Sequence, residues 1–537
     1  MRVQSAIQLS TLACAITLTA SAGAVPAQAA GKDVTFTSNV APIVFEHCLT
    51  CHRPGEVAPM SLSTYEEARP WAKSIKEKVS SRAMPPWFAN PDHGTFGNDA
   101  TLTVDEIDVI VAWVDQGAKR GNPDDMPPLP EFSDGWQLGE PDFIVDLPEV
   151  NVPADGDDYF PDLALTIDIP EKRWIRAVEV RPGNREVAHH IVLFSSGGGQ
   201  GSNGFFDVLA VWAVGTPATE FPDNMGRWVY PGQRITTNMH YHPNGTATTD
   251  QSRIGLYFGD GEMEKEINSA LAGTMTFEIP AGAANHPIKA SHIVDQDIRV
   301  VSYFPHMHLR GKSMRLTAAY PDGTDEILLD VPEYDFDWQL FYNLEEPFFL
   351  PAGTRVDILA HYDNSADNPH NPDPTRAVGF GQQSTDEMMF GFFDFVANEG
   401  VAPTPVSDKK RIQSLLSTLP PDSVYDVKMK LRNLEVPTCL QLPREGDGVW
   451  YIPFMRQLLN LAVTDIEWAG NDFSFAIRIQ LGGMGVDGTF NVTGSVDDAG
   501  NIQGDFAMGE AGNAANFLPF KDFSGSRPQA TASVGTD

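Results

Sequence analysis

The sequence predicts a multidomain chain in which a small all-α domain precedes an all-β region, with a C-terminal, mainly β extension at its end. Three observations carry that prediction. The chain has 537 residues and is 42% apolar, enough for several packed cores. Apolar residues recur at helical spacing between about residues 30 and 130. Beyond a linker rich in proline, glycine and acid, from Gly121 to Phe132, they fall instead into short alternating runs separated by turn residues.

The N-terminus reads as an export signal. Met1 and Arg2 form a basic start, Ile7 to Ala24 are mostly apolar or small, and Ala27-Gln28-Ala29 matches an A-x-A cleavage pattern. Residues 1–29 are therefore set apart from the fold, and the mature chain is expected in the periplasm. No later segment reaches the roughly 20 apolar residues of a membrane span, so none is expected. The formal charge of −35 argues against nucleic acid, whose phosphates it would repel, and is equally compatible with an acidic periplasmic protein or a basic electron-transfer partner.

In the helical domain, residues 30–130, the most informative stretch is Cys48-Leu49-Thr50-Cys51-His52. A C-x-x-C-H run is the attachment site of a c-type haem: two thiols at that spacing add to its vinyl groups, and the adjoining histidine ligates the iron. One covalent haem c is expected. Cys14 falls in the signal, which leaves Cys439 with no intramolecular partner once Cys48 and Cys51 are used. Phe36, Val40, Ile43 and Val44 recur at helical spacing before the motif. Thr103-Val104-Asp105-Glu106 forms a capping box that opens a second helix with Ile107, Ile110, Val111 and Val114 on one face and Gly117 or Gly121 at its end. First and last helices packed around a haem resemble the class I cytochrome c fold.

Met60 and Met84 compete for the sixth iron position. Met60 follows the haem motif too closely to cross the haem edge with ease, whereas Met84, in Arg82-Ala83-Met84-Pro85-Pro86-Trp87, has about thirty residues in which to do so and two prolines to fix its backbone. Met84 is preferred. A thioether there raises the haem potential relative to a second histidine.

The β region includes strands expected at Leu163–Ile169 and Arg299–Phe304. Of its ten histidines, six fall into three groups: His189-His190, His240-Tyr241-His242 and His306-Met307-His308. On a strand, residues two apart share a face, so each H-x-H group can offer two imidazoles to one metal. Adjacent histidines point apart unless a bulge, a strong twist or a strand end intervenes. Three such groups in one region predict at least one transition-metal site.

These groups, followed by Asp386-Glu387-Met388, resemble in order and spacing the copper type II, ascorbate-dependent monooxygenase family, which includes the peptide-amidating and dopamine-hydroxylating enzymes. The resemblance covers roughly residues 140 to 400. It implies two jelly-roll domains, 140–270 and 271–400, each holding one of two copper ions. His189, His190 and His240 match the ligands of the electron-transfer copper; His306, His308 and Met388 match those of the oxygen-binding copper, where O2 is activated to hydroxylate a substrate C–H bond. Adding a soft thioether to two imidazoles favours Cu(I), in keeping with that role. His242 has no ligand role in the family and reads as a supporting group. Met389 competes with Met388 but would face the other way on a strand, and Met314 and His361 read as structural.

Two departures bear on the substrate. The positions at which peptide-amidating members carry an arginine and a tyrosine for the substrate carboxylate are Phe304 and Phe392. The expected substrate is therefore a small apolar or aromatic molecule rather than a glycine-extended peptide. The family's external reductant finds a counterpart in the haem, which is expected to pass electrons from a periplasmic donor to the copper at His189, His190 and His240. The competing reading is a non-catalytic haem and copper electron-transfer or copper-binding protein. A zinc hydrolase has less support, because no general-base carboxylate accompanies the histidine motifs in a recognisable arrangement. In the extension, 401–537, a helix is expected over Asp408–Leu419 and strands over Phe473–Gln480 and Thr489–Val496, with no metal motif; it reads as completing the second barrel, forming its own β module or shaping a substrate entrance.

Overall fold

The structure is a computed structural model that describes residues 33–54, 56, 58–131, 135–196, 208–213, 216, 218–294, 296–398, 412, 416, 419–431, 434–454, 457–481, 486–508 and 520–528. The export signal expected over 1–29 and nearly all of the helix expected over 408–419 lie outside those residues. Among the described residues no helix is long and apolar enough to cross a membrane.

The helical module comprises Phe36–Val40, Ala41–His47, Tyr65–Ala68, Ala72–Ser80 and Val104–Asp115. Capping boxes start two of these helices: the Thr64 hydroxyl accepts from the Glu67 amide while the Glu67 carboxylate accepts from the Thr64 amide, and Thr103 and Glu106 repeat the arrangement. Gly117, at φ +94°, ends the last helix, a conformation that costs glycine little. First and last helices meet where the rings of Phe36 and Trp113 lie 5.7 Å apart. The expected apolar face needs correction. Ile110 is buried as expected, but Trp113 is its largest member, and Val109 and Ala112 join Ile107 and Val114 against the core while Val111 does not. A 3.6-residue period rotates Val111 off the stripe that Ile110 and Trp113 define.

The segment between the last two helices leaves the helical module and lies on the β region. Asn90 donates its amide to the Asp330 carbonyl at 2.8 Å, Gly97 donates to Asn343 at 2.8 Å, and Glu345 donates to Thr95 at 3.0 Å. Trp87 and Phe96 pack edge-on against Tyr342 at 5.0 and 5.6 Å. The helical module is thus docked through its own chain rather than merely tethered.

Two β sandwiches follow. In the first, Phe143–Asp146, Arg253–Phe258, Arg173–Arg181 and Met225–Val229 face a four-stranded sheet ordered Asp162–Ile167, Gln233–Tyr241, Ala188–Ser196, Val208–Ala213. In the second, Lys265–Gly273, Phe390–Ala397, Ile298–His306 and Tyr342–Leu350 face His286–Ile293, Arg355–Tyr362, Gly311–Ala319 and Asp325–Val331. Each pair of sheets closes over its own apolar core. One sheet runs through both sandwiches, because Lys265 and Glu266 pair in parallel with Met225 and Gly226. Gly226 is required there: a Cβ on it would lie 2.2 Å from the Ile175 carbonyl oxygen. Arg227 adds a bond across the junction to Asp394 at 2.9 Å.

The C-terminal extension does not complete the second sandwich. Eight antiparallel strands, from Val424–Leu431 to Phe520–Ser526, form a closed barrel in which the first and last strands pair. Trp450, Phe473, Phe475, Phe490 and Phe523 fill its interior, and closure leaves no unpaired edge. The expected strands are observed as Asp472–Leu481 and Val486–Val496. Cys439 is buried beside Ile293, Ile412 and Val424 as a free thiol.

Candidate metal and haem sites

His189, His190 and His240 converge. One ligand atom from each lies within 4.8 Å of the others. The strand pairing explains how two adjacent histidines do this: Ala188 pairs with Tyr241 and His190 with His240, so the register shifts at His189. That bulge turns His189 back toward the side of its neighbour, leaving the two Nδ1 atoms 3.3 Å apart.

Two of the remaining ring nitrogens have side-chain acceptors. His190 donates from Nε2 to Asn238 Oδ1 at 3.3 Å, and His240 donates from Nε2 to Asp158 Oδ2 at 2.9 Å. His240 Nδ1 is left buried without a hydrogen-bond partner. Such an orphaned nitrogen is costly unless something binds it, and a ring held at one nitrogen by a carboxylate is how metal-ligating histidines are commonly oriented. Burial first, then the neighbouring His240 imidazole, pushes His189 down to about 3; burial above all also holds His190 well below the ordinary histidine value. His189 and His190 are therefore neutral near pH 7, the form that binds metal. This donor set fits copper, and also other transition metals that favour imidazole.

His242 does not join the cluster. Strand Gln233–Tyr241 ends before it, its side chain is 74% exposed, and its Nδ1 donates to Asp158 Oδ1 at 2.8 Å. Burial works to raise the Asp158 carboxyl, but its contacts with His240 and His242 prevail and hold it at about 2. Phe160 stacks on the His240 ring at 4.5 Å.

His306 closes strand Ile298–His306, and His308 lies just beyond it. Met307 between them points into the core, so the two imidazoles share a side, with ring centroids 5.3 Å apart and perpendicular. His306 Nδ1 donates to Gln339 Oε1 at 2.9 Å, which leaves Nε2 free. Met388 is tied to this pair through the backbone: Glu387 Oε2 accepts from the amides of His308 at 2.9 Å and Met388 at 3.3 Å, while Oε1 accepts from Arg310 at 2.6 Å. Burial pushes the Glu387 carboxyl up to about 8. Met389 and Met314 lie fully buried in the core, and His361 meets Ser313 at 3.2 Å, as structural residues would.

The two groups are neighbours. The rings of His190 and His306 lie 6.0 Å apart. Around His306 stands an aromatic wall in which Phe304 stacks on Phe341 at 4.5 Å and lies 6.1 Å from Phe392, with Phe390 at 6.4 Å from His306. Asp158, Asn238, Gln339 and the role of Glu387 were missed by sequence reasoning. The first three belong to no motif, and Glu387 had only its place beside Met388 as a signal.

In the helical module the amides of Cys51 and His52 both bond the Cys48 carbonyl, at 3.2 and 2.8 Å. His52 Nδ1 donates to the Met60 carbonyl at 3.3 Å, leaving Nε2 free as an axial ligand requires. Met60 thus acts through its backbone on the side of the ring away from that nitrogen, and its side chain packs in the helical core. Met84 is half-buried beyond the helix Ala72–Ser80, with its amide 3.3 Å from the Lys78 carbonyl. Cys48, Cys51 and His52 thus offer the two thiols and the ring nitrogen that a covalent haem would take. Glu56, four residues after His52, pairs with both Arg53 and Arg185, and Arg185 lies four residues before His189. A further group, Glu46, His47 and Glu106, also comes within 4.8 Å, but Glu106 already serves the Thr103 cap.

No family model matches the chain. Over 212 residues it is 24% identical to DBH-like monooxygenase protein 2 of Mus musculus, a match that covers 33% of this chain and 34% of that protein. The chain therefore spans about a third of the length of this curated relative, and the relationship is weak and partial. A solved structure of the infectious bursal disease virus Gx strain aligns at 10% identity over 49% of this chain and 75% of that one, with a TM-score of 0.14, too low to bear on the fold.

Proposed function

We propose that the chain is a periplasmic copper-dependent monooxygenase that hydroxylates a C–H bond of a small apolar or aromatic molecule with O2, drawing electrons through its own haem c. The observation that carries this reading is the meeting of two different ligand sets. His189, His190 and His240 from one sandwich adjoin His306 and His308 from the other, with the amides of His308 and Met388 on one oxygen of Glu387. The distant similarity to a DBH-like monooxygenase agrees with it.

On this reading His189, His190 and His240 hold one copper, and His306, His308 and Met388 hold the other. Bound copper supplies one-electron redox chemistry at the first set and activation of O2 at the second. The chain's own residues do the rest. Asp158, Asn238 and Gln339 keep one nitrogen of their histidines occupied so that the other stays aimed at metal. Phe304, Phe341 and Phe392 exclude water from the second set and offer an apolar substrate flat ring surfaces. Cys48, Cys51, His52 and Met84 hold the haem. The Glu56–Arg185 pair sets the haem loop against the strand that carries His189, so transfer is intramolecular and independent of protein concentration.

One observation favours the alternative, a non-catalytic electron carrier or copper-binding protein: His190, His240, His306 and His308 are only 4, 3, 7 and 3% exposed. Oxygen uptake by the reduced, copper-loaded protein separates the two. Uptake that rises with an aromatic or aliphatic substrate and is lost in Met388→Ala supports the monooxygenase. Reoxidation with no substrate-dependent component supports the carrier.

A further inference from the structure

Two side chains from the second sandwich reach into the imidazole group of the first. Phe336 lies in the loop between strands Asp325–Val331 and Tyr342–Leu350. Its ring stacks on His189 at 4.7 Å, 16° from parallel, and meets the His308 ring nearly edge-on at 5.9 Å. Ser384 lies in the loop before Met388. Its hydroxyl bonds Asp158 and sits 3.5 Å from His240 Nε2.

We infer that Phe336 and Ser384 are positioning residues for the first metal centre, which is therefore completed by the second sandwich. The inference rests on the copper reading above. His190 and His240 each have a polar partner that fixes the ring, Asn238 and Asp158. His189 sits on the bulge, where the ladder constrains the backbone least, and Phe336 supplies its orienting contact: a flat ring at stacking distance restricts rotation about the imidazole's last torsion. Ser384 acts one step further out, holding the Asp158 carboxylate that holds His240.

The same loop grips the second ligand set. The Tyr334 hydroxyl bonds the Met307 amide at 3.1 Å and its carbonyl at 2.9 Å, and Gln339 bonds His306. A single loop thus touches His189 on one side and His306, Met307 and His308 on the other. Close packing of this kind moves as a unit, so the separation of the two centres is set by the loop around Phe336 and not by the shared sheet alone.

The test uses the full-length, haem-loaded protein in a Met388→Ala background, where one copper per haem isolates the first centre and leaves the loop intact. Phe336→Ala, Phe336→Leu, Phe336→Tyr, Ser384→Ala and Ser384→Thr are titrated with Cu(II), and affinity and the electron paramagnetic resonance spectrum are recorded. Phe336→Ala and Phe336→Leu are expected to weaken copper binding about tenfold, in the range found for supporting residues at metal sites, and to change the Cu(II) hyperfine splitting. Phe336→Tyr keeps the flat ring and is expected to restore both. Ser384→Ala is expected to shift the spectrum in part, with Ser384→Thr restoring it. Phe336→Leu preserves apolar volume, so it stays informative where the alanine variant fails to fold. An unchanged spectrum and affinity in both Phe336→Ala and Phe336→Leu would overturn the inference. A background protein that binds no copper overturns the copper reading itself, and the inference with it.

Discussion

The Nδ1 atoms of His189 and His190 lie 3.3 Å apart although the residues are adjacent in the chain. A regular strand would turn them to opposite faces; the bulge at His189 brings them together and makes a converging pair of what would otherwise be one core and one surface histidine.

Asp158→Ala should lower copper affinity at the first centre by about 10- to 100-fold, because His240 then loses the carboxylate that fixes its tautomer. Metal analysis after dialysis against a mild chelator measures this. The haem content serves as the internal standard and should not change.

Glu387→Ala should destabilise the fold by about 3 kcal/mol, since it strands the buried amides of His308, Arg310 and Met388. Glu387→Gln keeps an acceptor in place and should cost less. Denaturant titrations followed by tryptophan fluorescence rank the two. Equal losses would mean that both oxygens of Glu387 are needed as acceptors, since glutamine supplies only one.

The copper-free protein should be most stable near neutral pH. Burial and neighbouring imidazoles depress His189 to about 3, burial depresses His306 to about 4, and His190 and His308 fall well below the usual value. Below about pH 6.5 the unfolded chain takes up protons that these folded imidazoles refuse, so stability falls with pH from there toward about 4. Glu387 runs the other way. Its folded value of about 8 lies above that of an exposed glutamate, so stability also declines as pH rises from roughly 4.5 to 8 on its account. Calorimetry across that range should show the melting temperature dropping more steeply on the acid side, where four groups act against one, and copper should shift the acid limb to lower pH.

Met84→Ala should abolish the sulfur-to-iron charge-transfer absorption of the oxidised haem, and Met60→Ala should keep it, because Met60 reaches His52 through its carbonyl oxygen. The reverse pattern would assign the axial position to Met60.

Arg185→Ala should leave haem and copper content unchanged and slow the reoxidation of ferrous haem by oxidised copper, since it breaks the contact between the haem loop and the strand that carries His189. Stopped-flow absorbance at the haem bands reads the rate directly. Glu56 keeps Arg53 as a partner in this variant, so the loop itself should hold its shape.

What the sequence determined by itself is what neighbours along the chain control. The C-x-x-C-H turn, the two capping boxes, the end of the last helix at Gly117 and the strand grammar beyond the linker depend on residues within a few positions of one another, and each was legible. The sequence also marked His189, His190, His240, His306 and His308, because histidines at those spacings are conspicuous. Spacing alone could not separate His240 from His242, which differ in lying on either side of a strand end. Nor could the sequence reveal that a bulge at His189 makes the first pair, that one sheet runs through both sandwiches, or that the extension closes into a barrel. Asp158, Glu387, Phe336 and Ser384 acquire their parts only when segments distant in the chain, up to 226 residues apart, are brought into contact. Strand register and loop docking are fixed by the packing of whole sheets, where the alternatives differ in which face is buried, and that choice belongs to the tertiary structure.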